Sequence, residues 1–243
     1  MCYKKMNWIR MDSKKINNEL KEESKRLYHS GLVLQDFGNI SIKVEDNILI
    51  KASGRPMVSI KAKDFVLVDF YGNPIKSNLK PSSDTPSHIE IYKNFEDVKG
   101  VVHTHSPYAT AWAQSGKPIP CLGTTHADHW CVDIPITRAL KTAEIDGNYE
   151  AETGKVIVEK IKQLKVNPLY CPGILVLNHG PFVWGRNLIE AVRNAEILEY
   201  LAKMAYMALS INPKSKRLNK KLWDRHFSRK NGNDAYYGQQ NLD

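Results

Sequence analysis

The sequence predicts an α/β protein, a three-layer α/β/α sandwich around a largely antiparallel sheet. Short runs of β-branched residues alternate with segments of helical spacing. Several of the strand-like runs are joined by only a few turn residues, an arrangement that produces antiparallel pairing. No internal repeat, low-complexity segment or Gly/Pro/Ser-rich linker divides the 243 residues, a length that one large domain can occupy. A single domain over residues 1–243 is therefore expected, with residues 1–12 as a poorly ordered N-terminal extension and 214–243 as a basic tail.

Composition narrows the function classes. No apolar run approaches the ~20 residues needed to span a bilayer, and the amino terminus lacks the apolar segment of a signal peptide, so a soluble, cytoplasmic protein is expected. The four cysteines, Cys2, Cys121, Cys131 and Cys171, are scattered and form no Cys-X-X-Cys pair, which points to free thiols. The net charge of +9 is concentrated in residues 214–230, where eight Lys or Arg stand against Asp224 alone. Such a block can mark nucleic-acid or membrane binding. Without an aromatic stacking array or a recognition helix it reads as a solvated helix face, with one or two cations reserved for a phosphate ligand, so neither nucleic acid nor membrane is expected as a partner.

Taken in order, Ser13 to His29 reads as a helix, with Ile16, Leu20, Ser24 and Leu27 in register and Gly31 as its stop. Asn39 to Val44 and Asn47 to Ala52, joined at Glu45-Asp46-Asn47, read as a hairpin, and Lys63 to Phe70 as another strand. Thr85 followed by Pro86 opens a helix with Ile89, Tyr92 and Phe95 on its apolar stripe; His88 on it reads as an ordinary helix-face histidine. Gly100 to His105 reads as a strand, and Ser106-Pro107 as the start of a short helix closed by Gly116. The positive end of that helix, next to His105, would favour an anionic ligand. Thr142 to Gly154 reads as an acidic loop or short helix, Lys155 to Lys165 as a helix, and Ile174 to Asn178 as a strand. Asn187-Leu-Ile-Glu190 resembles a capping box for a long helix reaching Ser210.

The chemistry concentrates between Pro81 and Ala113. Alternate residues of a strand share a face, so His103 and His105 point the same way, with Cα atoms roughly 6.5 to 7 Å apart. Two imidazoles at that spacing can converge on one ion at about 2.0 to 2.1 Å from each nitrogen. Such a pair can equally be polar surface, but Asp84 in Ser-Ser-Asp-Thr-Pro and His179 at the end of an apolar run are candidates for further ligands. Three histidines and a carboxylate suit zinc or another first-row divalent metal. Gly38-Asn39 and Ser53-Gly54 flank the hairpin; small residues there let backbone N–H groups approach an anion, though each pair is also an ordinary turn dipeptide. Gly123-Thr-Thr-His-Ala-Asp128-His holds three titratable side chains in four positions.

Together these residues carry a resemblance. Gly38-Asn-Ile-Ser41, Ser53-Gly54, Pro81-Ser-Ser-Asp84-Thr-Pro, His103-Thr-His105-Ser, Gly123-Thr-Thr-His-Ala-Asp128, Asn178-His-Gly-Pro-Phe-Val-Trp-Gly185 and Ala235-Tyr-Tyr-Gly-Gln239 are similar to the L-ribulose-5-phosphate 4-epimerase family of the class II sugar-phosphate aldolase superfamily. The resemblance runs from about Glu19 to Gln239. It implies an isomerase that breaks and remakes the C3–C4 bond of a ketopentose 5-phosphate, with one divalent metal, most simply zinc, on Asp84, His103, His105 and His179. It implies a phosphate pocket of Gly38, Asn39, Ser53, Gly54, Ser82 and Ser83, beside which Lys51 is an additional cation. It also implies a cyclic homotetramer in which Asp128 and Tyr237 act as acid/base groups from the neighbouring subunit, with Arg229 as a phosphate contact and His226 as a secondary candidate. His126 and His129 keep an ordinary loop reading. Fuculose- and rhamnulose-phosphate aldolases of the superfamily carry Glu where this chain has Asp84, and some members are structural modules that have lost their metal ligands; the full ligand set and the Tyr-Tyr-Gly-Gln ending favour the epimerase.

Overall fold

The structure, a computed structural model, describes residues 2–232 and 235–236, with side chains from Lys14 onward. Its frame is a six-stranded sheet in the order β3-β2-β1-β4-β6-β5. The strands are β1 (Asn39–Val44), β2 (Asn47–Lys51), β3 (Phe65–Asp69), β4 (Gly100–His103), β5 (Gly173–Leu175) and β6 (Pro181–Gly185). All five strand pairs are antiparallel. The expected sandwich is therefore present, and the sheet is more uniformly antiparallel than the sequence suggested.

Eight α-helices are present among the described residues: α1 (Cys2–His29), α2 (Thr85–Asn94), α3 (Pro107–Gln114), α4 (Thr124–Ala127), α5 (Thr142–Asp146), α6 (Tyr149–Leu164), α7 (Leu188–Ile211) and α8 (Lys220–Asn231). Strand alternation decides which layer each joins. On β1, Ser41 bonds to His88 and Tyr92 of α2, so Asn39 and Ser41 face α2 while Ile40 faces the opposite layer. On that opposite side α7 approaches so closely that a Cβ at Gly100 would lie 2.7 Å from the Asn187 carbonyl at its start. α6 packs on α2 at Gly154, where a Cβ would stand 2.7 Å from that of Glu90. One continuous core fills both layers, including Leu20 and Leu27 of α1, Ile40, Val101, Val102, Phe182, Trp184, Leu198 and Ala202.

Several elements depart from their expected bounds. α1 begins at Cys2, within the stretch set aside as an extension, because no glycine or proline interrupts the chain before Gly31. β3 is shorter than Lys63 to Phe70, and its start is preceded by a 3₁₀ turn over Ala62–Asp64. β4 ends at His103, so His105 lies beyond the strand, just before α3. α6 starts at Tyr149, ahead of the expected Lys155, since Asn148 Oδ1 accepts from Ala151 N and caps it there. β6 was not anticipated. Pro181 opens it, and proline is tolerated as the first residue of a strand, where its missing N–H is not needed. The basic tail, read as a solvated helix face, folds α8 onto α4: Trp223 is buried against Cys121 and Ala127, and its indole N–H donates to the Trp130 carbonyl at 2.9 Å.

Among the described residues Cys121, Cys131 and Cys171 are free thiols, and no helix is long and apolar enough to cross a membrane.

Candidate metal centre

His103 ends β4, flanked by β1 and β6 in the middle of the sheet, and its side chain is buried. Its ring stacks on its cross-strand partner Phe182, with centroids 4.2 Å apart and an interplanar angle of 17°. Nδ1 donates to the Pro181 carbonyl at 3.0 Å, which fixes the tautomer and leaves the Nε2 lone pair for a ligand. His105 brings its Nε2 to 3.0 Å from that atom. His179 sits on the β5–β6 turn, where Asn178 has φ 61°. Ligand atoms of the three histidines lie within 4.8 Å of one another, so the group could hold a metal ion.

The donor chemistry fits a cation. His179 Nδ1 is buried with no hydrogen-bond partner among the described residues, and a neutral ring at His103 turns an unshared pair toward its neighbours. Burial lowers the pKa of His103, His105 and His179; at His103 the other two imidazoles lower it further. All three are thereby kept in the neutral form that ligation requires.

Asp84 is the N-cap residue of α2, yet its carboxylate caps nothing. Pro86, in the first turn, has no N–H to offer it, and Asn39 Nδ2 donates to Oδ2 at 2.5 Å. The same Oδ2 stands 3.9 Å from His103 Nε2, beside the imidazoles but set back from them. Asn39 and His103 are paired across β1 and β4, and this pairing brings the amide to the carboxylate.

Two of the segments expected to hold phosphate lie side by side. Ser82 N donates to the Lys51 carbonyl and Ser53 N to that of Lys80, each at 3.0 Å, so residues 51–54 run alongside 80–84. Ser53 and Ser83 are exposed, whereas Ser82 is buried. Gly54 has φ 65° with no atom of the described residues within 4 Å of a Cβ position, and Gly38 has φ 78° with the His103 carbonyl 2.6 Å from its Cβ position. Gly38 is thus obligatory for packing against the centre, while Gly54 leaves open space. Lys51 is 2% exposed, and its Nζ donates to the carbonyls of Asp36 and Ala52, at 3.3 and 3.4 Å. Burial lowers its pKa, and Asp36 and Asp84 pull it back up.

Asp128, expected as an acid/base group, belongs to a second cluster on α4 and α8. Arg229 donates to it through Nε at 3.1 Å and Nη2 at 3.0 Å, and His226 Nδ1 lies 3.0 Å from its Oδ1. Burial raises its pKa, but the Arg229 and His226 contacts outweigh this and hold it below the usual carboxylate range. Arg229, expected at the phosphate, is therefore engaged by Asp128. Tyr237 lies outside the described residues. Buried His126 bonds to the Val132 carbonyl, and His129 Nε2 lies 3.1 Å from Lys230 Nζ.

One expectation is corrected. The N-terminus of α3 is not left for an anionic ligand, because Glu199 of α7 accepts from Tyr108 N and Ala109 N, both at 2.9 Å. Sequence reading also missed the bond from Asn39 to Asp84; the alternation of β1 against the i, i+4 stripe of α2 contained that information.

Fold and site together define an α/β protein with a three-histidine centre at the end of a central antiparallel strand. Residues 18–206 match the Class II Aldolase and Adducin N-terminal domain family, and the chain belongs to it. Similar solved structures include an L-fuculose 1-phosphate aldolase, 23% identical with a TM-score of 0.74, covering 88% of this chain and 95% of that one. YgbL from Klebsiella pneumoniae, for which aldolase, epimerase and decarboxylase are named as alternatives, is 25% identical with a TM-score of 0.71, covering 88% and 98%. A sugar-phosphate aldolase from Thermotoga maritima is 21% identical with a TM-score of 0.63, covering 82% and 97%. Class II aldolases depend on a divalent metal, and the family is consistent with a sugar-phosphate substrate.

Proposed function

We propose that this chain is a cytoplasmic L-ribulose-5-phosphate 4-epimerase that interconverts L-ribulose 5-phosphate and D-xylulose 5-phosphate. The observation that carries the reading is the placement of Asp84. Its short carboxylate is held by Asn39 at 2.5 Å, 3.9 Å from His103 Nε2, which suits a fixed metal ligand rather than a mobile base. The Tyr-Tyr-Gly-Gln ending supports the same choice.

In this reading His103, His105, His179 and Asp84 hold one divalent ion, zinc in our proposal, which when bound supplies Lewis-acid polarisation of the keto group. Gly38, Asn39, Lys51, Ser53, Gly54, Ser82 and Ser83 hold the 5-phosphate through backbone N–H groups, hydroxyls and the buried ammonium. Asp128 and Tyr237 of a neighbouring subunit stand on opposite faces of C4. One takes the C4 hydroxyl proton as the C3–C4 bond breaks, its electron pair remaining with the three-carbon fragment. The two-carbon aldehyde turns over, and the other group returns a proton to the oxygen as the bond re-forms. Arg229 and His226 keep Asp128 ionised and oriented. An unperturbed tyrosine has a pKa of about 10, so Tyr237 needs nearby positive charge to serve at neutral pH. A cyclic tetramer would bring the α4–α8 cluster of one subunit to the metal centre of the next.

The competing reading is a sugar-phosphate aldolase that releases its fragments, favoured by the named activity of the fuculose-phosphate neighbour. Incubation with L-ribulose 5-phosphate decides between them. Formation of D-xylulose 5-phosphate as the main turnover supports the epimerase, and net release of glycolaldehyde phosphate hands the function to the aldolase.

A further inference from the structure

The contact between β1 and α2 is a polar seam. Residues two apart on a strand share a face, and residues four apart on a helix share a stripe. Asn39 and Ser41 accordingly meet Asp84, His88 and Tyr92: Asn39 donates to Asp84, and Ser41 Oγ lies 2.7 Å from His88 Nδ1 and 2.8 Å from Tyr92 Oη.

Proton counting fixes the direction of each bond. Tyr92 commits its one hydroxyl proton to the Ser41 carbonyl, 3.0 Å away. Its oxygen then accepts from Ser41 Oγ–H, and the Ser41 oxygen, its own proton used, accepts from His88 Nδ1–H. His88 is wholly buried, which pushes its pKa down to about 3 and keeps it neutral. The proton therefore sits on Nδ1 and a bare lone pair on Nε2, which is buried without a partner among the described residues. An unpaired buried acceptor is costly, and its presence calls for an explanation.

Two neighbours supply one. His88 follows Asp84 by one helical turn and interacts electrostatically with it. Its ring also stands edge-on to Phe182 with centroids 5.9 Å apart, and Phe182 stacks on His103.

We propose that His88 is a positioning residue of the metal centre. The Nε2 lone pair repels the Asp84 carboxylate, itself an acceptor, and keeps it turned toward Asn39 and the imidazoles instead of along its own helix. The ring edge holds Phe182 against His103. This inference rests on the reading that Asp84 and the three histidines bind a divalent ion.

The test uses the full chain with Co²⁺ as probe and reads the metal-free melting temperature, the Co²⁺ dissociation constant by chelator competition, and the visible Co²⁺ spectrum. His88→Phe keeps a ring against Phe182 and removes both nitrogens. It should fold with an unchanged or raised melting temperature, bind Co²⁺ at least tenfold more weakly and show a shifted spectrum; a merely structural role would move only the melting temperature. His88→Gln, which carries a polar atom near the Nε2 position, should recover part of the affinity. If His88→Phe does not fold, Ser41→Ala, which frees the His88 proton, should weaken Co²⁺ binding several-fold. Wild-type affinity within twofold and an unaltered spectrum in whichever of these variants folds would overturn the inference while leaving the metal reading intact. A wild-type chain that takes up no Co²⁺ would overturn both.

Discussion

His103 commits its Nδ1 proton to Pro181, so its Nε2 is available at every pH at which the ring is neutral. Replacing it by alanine removes one ligand and the ring stacked on Phe182, and metal found by elemental analysis in the wild type should be lost. Stoichiometric metal in both His103→Ala and His179→Ala would overturn the ligand set. Buried neutral histidines also set an acid limit. His126 and His88 are pushed down to about 4 and about 3 by burial, so as pH falls from about 6.5 the unfolded chain takes up protons that the folded chain refuses. Stability of the metal-free protein should therefore fall between about pH 6.5 and pH 4, by up to about 1.4 kcal/mol per pH unit for each such histidine. Denaturant titrations across that range measure it, and a flat profile would show that these rings gain no proton on unfolding.

At the scale of elements, sequence patterns located most pieces but not the contacts that orient them. The hairpin of β1 and β2 was legible because alternating apolar runs bracket a two-residue turn, in which Glu45 takes φ 51°. β6 was not, because Pro181 masks a strand whose first residue needs no donor. His105 was assigned to a strand that stops two residues earlier, yet the two imidazoles still converge. Glu199 is 91 residues from the N–H of Tyr108 that it caps, beyond the reach of any local motif. Glu199→Ala should lower stability by about 1 to 2 kcal/mol, since two N–H groups at the start of α3 lose a charged acceptor. Gly154→Val should cost about 1 to 3 kcal/mol through overpacking of α6 on α2. Urea midpoints test both, and a neutral Gly154→Val would mean that the two helices separate freely.

For the whole molecule, the convergence of the three histidines was legible because His103 and His105 stand two apart in a β-branched run and His179 closes another apolar run. The placement of Asp128 was not, because its partners Arg229 and His226 stand about a hundred positions away, in a helix whose basic composition suggests only a wet surface. If that cluster completes a neighbour's site, mixing inactive Tyr237→Phe chains with inactive His103→Ala chains should restore epimerisation once subunits exchange. Mixed assemblies then contain some sites with both groups intact. Proven exchange without recovery would place Tyr237 in its own subunit's site or outside catalysis.

The convergence of His103 and His179 also makes the centre a clasp. One ligand closes a central strand and the other sits on the turn into the strand beside it, so an ion bound there would cross-link two distant parts of the polypeptide. Binding restricted to the native state adds RT ln(1 + [ion]/Kd), about 2.7 kcal/mol at a hundredfold excess over Kd. The melting temperature would then climb with free metal and drop on chelation. Amide protons of β4 and β6 would exchange faster after the ion is withdrawn, so that scarcity of metal would govern how long the folded chain survives as well as how fast it turns over.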